Sequence, residues 1–129
     1  MTENDRRREN RLPCNQEIGV YLSLEPGGAP ISPVYSAQLV SVSLRGACIA
    51  LDEVMSGSTH LAYGPMESDT LQLNIIFSFQ DSSEPLTVTV LPIWLDKKQS
   101  ENVPPFHIGV EFPDPLSSEL LQQLNRQQR

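Results

Sequence analysis

Residues 70–79 read Thr-Leu-Gln-Leu-Asn-Ile-Ile-Phe-Ser-Phe. Leu71, Leu73, Ile75, Phe77 and Phe79 alternate with mostly polar neighbours. A period of two places every second side chain on one face, which is the pattern of a half-buried strand and not of a helix. The same period recurs on both sides. Downstream, Leu86, Val88 and Val90 alternate with Thr87 and Thr89, and Ile108, Val110 and Phe112 close a last strand over 106–112. Upstream, Ile18, Val20, Leu22 and Leu24 are expected to face inward, and so are Val40, Val42 and Leu44, with Ser41 and Ser43 outward. A short apolar strand covers 47–51. Between these runs lie loops at 26–33, 52–69, 80–85 and 96–105, and Ser43-Leu44-Arg45-Gly46 reads as a tight turn with Gly46 free to take a positive φ.

The end of the chain changes period. Asp114 and Pro115 suit a helix start. Leu116, Leu120, Leu121 and Leu124 then share one face at helical spacing. About six antiparallel strands followed by one helix predict an all-β domain. A six-stranded antiparallel β-barrel with a C-terminal helix is the natural closure, because a barrel leaves no exposed strand edge. A chain of 129 residues is one domain. The expected parts are an arginine-rich arm at 1–13, a barrel at 17–112 and a helix at 115–127.

Composition narrows the function. Eleven prolines and seven glycines favour many short elements. No apolar run approaches the roughly 20 residues of a membrane span, and the polar start lacks the apolar stretch of a secretory signal. A cytoplasmic location and no membrane insertion are therefore expected. Cys14 and Cys48 have no metal-ligand spacing and read as two thiols; His60 and His107 stand apart from other ligand types. No metal and no cofactor are expected. A net charge of −7 argues against a DNA or RNA polymer as partner. Residues 1–11 nevertheless hold four arginines against three acids, while residues 12–129 hold five basic and 13 acidic residues. A compact arginine group on an acidic protein suits a small anionic ligand. No nucleophile elbow or phosphate-binding loop is present, so no enzyme is expected.

Two short motifs stand out. Arg7-Arg8-Glu9-Asn10-Arg11 is an R-x-x-x-R. Ser41-Val42-Ser43-Leu44-Arg45-Gly46 is an S-x-S-x-x-G at a strand end. Their order, their separation of about 30 residues and the later strand His107-Ile108-Gly109-Val110-Glu111-Phe112 resemble the PilZ domain, a bacterial receptor module for cyclic di-GMP. The resemblance runs from about Arg6 to the terminal helix and implies the same barrel and helix. It implies that Arg7 and Arg11 bind guanine and phosphate, for which the guanidinium fork is suited. Ser41, Ser43 and Gly46 would complete the second motif. Arg6, directly before the first motif, would favour two stacked copies of the ligand. The family usually carries Asp or Asn where this chain has Ser41, and serine offers one oxygen in place of a two-point contact to a guanine edge.

Trp94 has two readings. With unbroken strand phase it belongs to the core; with a bulge at Pro92, Ile93 and Leu95 turn inward and Trp94 turns outward, where it would stack on guanine. His107, Glu111 and Arg8 read as solvent-facing, and Arg45 sits at a variable position of the second motif. The resemblance implies a signal receptor that orders its arm on binding and changes its contacts with a downstream protein. The alternative is a degenerate PilZ-like adaptor that acts through protein contacts without nucleotide.

Overall fold

The computed structural model describes residues 12–79, 84–99 and 103–126. Arg6, Arg7, Arg8 and Arg11 lie outside the described residues, as does the side chain of Cys14. Six strands close a barrel in the order β1-β2-β3-β8-β7-β6, all neighbours antiparallel. They are β1 (Leu12–Ser23), β2 (Tyr35–Val42), β3 (Gly46–Leu51), β6 (Gln72–Phe77), β7 (Leu86–Lys97) and β8 (Phe106–Glu111). Between β3 and β6 the chain makes a small hairpin, β4 (Met55–Ser56) and β5 (Thr59–His60), and a short helix α1 (Tyr63–Glu67). The C-terminal helix is α2 (Ser118–Arg126).

The alternation seen in the sequence fills the barrel. Ile18, Val20 and Leu22 from β1 meet Leu73, Ile75 and Phe77 from β6, and Ile49, Leu51, Ile108 and Val110 complete the wall. Each of these side chains contributes about 1.5–3 kcal/mol by leaving water. Leu116 and Leu124 belong to this core, with Leu120 and Leu121 packed against it.

Three bulges reset the strand phase, between Pro13 and Gln16, Leu39 and Ser41, and Pro92 and Trp94. The second corrects the reading of β2. Ala37 and Leu39 face inward before it and Val42 after it, leaving Val40 half-buried. Leu24 (60% exposed), Leu44 and Leu86 also lie at strand ends and are exposed, against expectation. Leu24 and Leu44 lie past the last ladder pairs of β1 and β2, where interior alternation stops, and Leu86 lies in the terminal pair of β6 and β7, opposite Phe77.

The helix starts later than Asp114-Pro115 suggested. The Leu116 N–H donates to Leu44 O at 2.8 Å, which holds the preceding segment along the β2–β3 turn. Ser117 then serves as the cap, its Oγ accepting the Leu120 N–H at 3.1 Å.

Residues 52–69, expected to be a loop, form the β4–β5–α1 lobe instead. Val54, Leu61 and Ala62 anchor it in the core. His60 organises its turn. Its Nδ1 accepts the N–H groups of both Ala62 and Tyr63 at 3.0 Å, and its ring stacks on Tyr63 with centroids 4.3 Å apart. Nδ1 therefore carries no proton, and burial holds the His60 pKa below the ordinary 6.5. Above that value neither the folded nor the unfolded chain is protonated here. As pH falls through it, the unfolded chain takes up the proton first and stability is lost. Urea midpoints at pH 7.5 and 5.5 check this: the drop is expected to be larger in the wild type than in His60→Asn, whose amide oxygen accepts the same bonds without titrating.

Candidate nucleotide-binding face

The S-x-S-x-x-G motif forms the β2–β3 turn. Ser43 N–H donates to Gly46 O at 2.8 Å and closes a loop of Leu44 and Arg45. Ser43 does not point outward beside Ser41, as the strand phase implied. It is 2% exposed, and its Oγ accepts the N–H groups of Arg45 and Gly46 at 3.3 and 3.2 Å and lies 3.3 Å from Gly46 O. The strand has ended at Val42, so the hydroxyl folds back on the turn. Ser43→Ala leaves two N–H groups without this acceptor and is expected to cost about 1–3 kcal/mol. A fall in the chemical-denaturation midpoint checks it.

Gly46 is also corrected. The glycines of positive φ among the described residues are Gly27 and Gly57, so Gly46 is not needed for a left-handed turn. It is needed for close approach, because a Cβ there would sit 2.5 Å from the Val110 carbonyl oxygen. The turn is bonded onward as well. Arg45 O accepts the Phe112 N–H at 2.8 Å, and Leu44 O accepts Leu116 N–H. The motif thus touches the end of β8 and the segment leading to α2.

Ser41 is half-buried on the outer face, opposite in phase to the buried Val42. It begins a row across the barrel wall. Pro13 pairs with Ser41, Ser41 with Cys48, Cys48 with Gly109, and Gly109 with Trp94. From Ser41 to Trp94 the row crosses three strand spacings, roughly 14 Å. Its middle is a floor of small groups, since Cys48 and Gly109 offer a thiol and no side chain.

Trp94 stands at the end of that floor. The bulge reading holds for it and for Leu95. Leu95 packs on the core, and the half-buried indole lies so close over Gly109 that a Cβ there would overlap Trp94 Nε1 and Cε2. Ile93, which the bulge was expected to turn inward, is 51% exposed; Pro92 takes the buried position.

Beside the row, His107 is 7% exposed and not solvent-facing as expected. Its Nδ1 lies 3.8 Å from Cys48 Sγ, and its Nε2 is buried without a hydrogen-bond partner. Strand alternation signalled that His107 points away from the core; it did not signal that this part of the outer wall is itself buried. Glu111 is exposed, as expected, and Arg45 is exposed as well. Gly109 is the position in this row that sequence reading passed over. Its signal was a glycine inside an otherwise regular strand, which marks a close approach by another group.

The start of β1 lies beside the second motif. Leu12 pairs with Val42 and Pro13 with Ser41. Arg11 precedes Leu12 in the chain. β1 therefore begins beside the strand that ends in S-x-S-x-x-G. By contrast, a cavity of about 250 Å³ lined by Glu17, Ser36, Ala37, Gln38, Asp52 and Pro104 presents two carboxylates and no cation, which disfavours an anionic ligand.

The chain is thus a closed six-stranded barrel whose motif-bearing turn is bonded toward a terminal helix. The family model described as "PilZ domain" matches residues 5–127. The chain belongs to the PilZ family, whose members are cyclic di-GMP-binding and adaptor domains. No match was found among curated proteins or among solved structures. No helix among the described residues is long and apolar enough to cross a membrane.

Proposed function

We propose that this chain is a cytoplasmic cyclic di-GMP receptor that binds on the outer face between the β2–β3 turn and Trp94. The observation that supports the reading is the pairing of Leu12 with Val42: β1 begins beside the S-x-S-x-x-G strand end, and the R-x-x-x-R segment directly precedes Leu12 in the sequence. Arg7 and Arg11 grip phosphate and guanine through charge-assisted bonds. Arg6 adds a stacking and hydrogen-bonding group for a second, stacked copy of the ligand. Ser41 offers its hydroxyl to the ligand. Gly46 keeps the turn close to β8, and Ser43 holds the turn rather than reaching outward. A guanine stacks on the open side of Trp94, a contact worth about 1–3 kcal/mol.

Binding fixes the arm across the barrel. The turn's bonds to Phe112 and Leu116 give the bound state a route to α2 and its surroundings. The changed surface is then read by a downstream protein.

Titration calorimetry with cyclic di-GMP tests the reading. Saturable binding is expected, with two ligands per chain if Arg6 acts as assigned. Ser41→Asp supplies the two-point guanine contact that serine lacks and is expected to tighten binding about tenfold. Absence of binding to folded protein sinks the receptor reading. Ser41 is the feature that favours the second reading, a PilZ adaptor without nucleotide. Such an adaptor would not use the apolar face of α2, because Leu124 is fully buried and Leu120 and Leu121 pack on the core.

A further inference from the structure

The β4–β5–α1 lobe has two faces. Val54, Leu61 and Ala62 point into the core, while Met55 (45% exposed), Tyr63 (46%) and Met66 (37%) stand out on the other side. These three are contiguous. Met55 is the cross-strand partner of His60, the His60 ring stacks on Tyr63, and Tyr63 and Met66 are three apart on α1. The surface is also held in place. His60 fixes the turn into α1, Tyr35 donates from its hydroxyl to Ser56 Oγ at 2.8 Å, and Leu61 N–H donates to Val54 O at 2.7 Å.

Its charge has one sign. Asp52 and Glu53 precede the hairpin, Glu67 and Asp69 follow at the end of α1, and all four are exposed. From residue 46 to residue 96 the sequence carries seven acids and no lysine or arginine. Exposed methionines and a tyrosine bordered by carboxylates match a surface that is apolar on one side and basic on the other.

We propose that this lobe is a docking surface for a basic, amphipathic segment of a partner protein. Its place in the fold separates it from the nucleotide-binding face. The lobe follows Leu51 at one end of β3, whereas Leu12 and the motif turn lie at the other end, beside Val42 and Gly46. Six residues of strand put roughly 20 Å between them. The surface is complete without nucleotide, so the inference stands or falls independently of cyclic di-GMP binding.

The test uses the full ¹⁵N-labelled chain without nucleotide. The probe is a synthetic peptide with leucine at helical spacing and lysine elsewhere, beside a twin with glutamate for lysine. Amide shifts are expected within residues 53–68 for the lysine peptide, weakening with added salt, and none for its twin. Met66→Lys is expected to weaken binding about tenfold with no change in the denaturation midpoint, since Met66 is exposed. Shifts elsewhere, equal response to both peptides, or unchanged affinity in Met66→Lys would overturn the proposal. So would self-association that Met66→Lys abolishes, which would make a second copy the occupant. Movement of the lobe's amides on replacing Arg7 and Arg11 by alanine would seat the chain's own arm there and overturn it equally.

Discussion

Replacing Arg7 and Arg11 together by alanine is expected to weaken cyclic di-GMP binding roughly thousandfold. On the proposed reading each arginine provides charge-assisted hydrogen bonds to the ligand, which contribute about 1.5–3 kcal/mol apiece. Two such losses near 2 kcal/mol amount to about 4 kcal/mol, or three powers of ten in affinity. The fold should not change, because the barrel core is built from residues of β1 onward. Calorimetry on the double variant, with a denaturation curve alongside, separates the two effects. Retained affinity with an intact fold would remove the arginine motif from the site. Arg8→Ala is the matched control: it removes one charge from the same segment and is expected to change affinity little.

Gly46→Ala carries the largest expected effect on stability. A methyl group there meets the Val110 carbonyl oxygen at 2.5 Å, and that oxygen belongs to a backbone paired on both sides. It cannot move as a flexible side chain would, so β3 and β8 must separate locally. Overpacking of this kind costs typically 1–3 kcal/mol and occasionally more; about 3 kcal/mol is expected here. For a chain of 129 residues that corresponds to a fall in Tm of roughly 10 °C. A melting temperature within a degree or two of the wild type would show that the strands part without cost at this point. Gly109→Ala is a useful contrast. Its new methyl meets the Trp94 indole, a side chain that is able to swing away, so the indole's fluorescence should change more than the fold's stability.

The barrel was legible because its evidence is local. Alternation at 18–22, 71–77 and 106–112 reports which face of each strand is buried, and a strand needs only its own residues to display that period. The terminal helix was legible for the same reason, through Leu116, Leu120, Leu121 and Leu124. Phase was less secure. Val40 and Ile93 lie at bulges, and a bulge is a property of two strands paired with unequal residue counts. For Trp94, sequence left core and surface open; the pairing with Gly109 put the indole outside. The serine of the turn shows the same limit. Ser43 had the right residue type in the right motif, but its hydroxyl found donors at Arg45 and Gly46 once the strand ended at Val42.

By itself the sequence determined a small antiparallel barrel with a terminal helix, an acidic body with an arginine-rich start, and two motifs of the PilZ family. Those follow from periodicity, charge and residue type, which are carried along the chain. Only the tertiary structure decided that Leu12 enters beside Val42, that Ser41, Cys48, Gly109 and Trp94 form one row, and that Met55, Tyr63 and Met66 share a face. Each of the first two depends on register between strands distant in sequence, and the third on a hairpin and helix too short to leave a period. Neighbourhoods of that kind exist only after the chain has closed on itself.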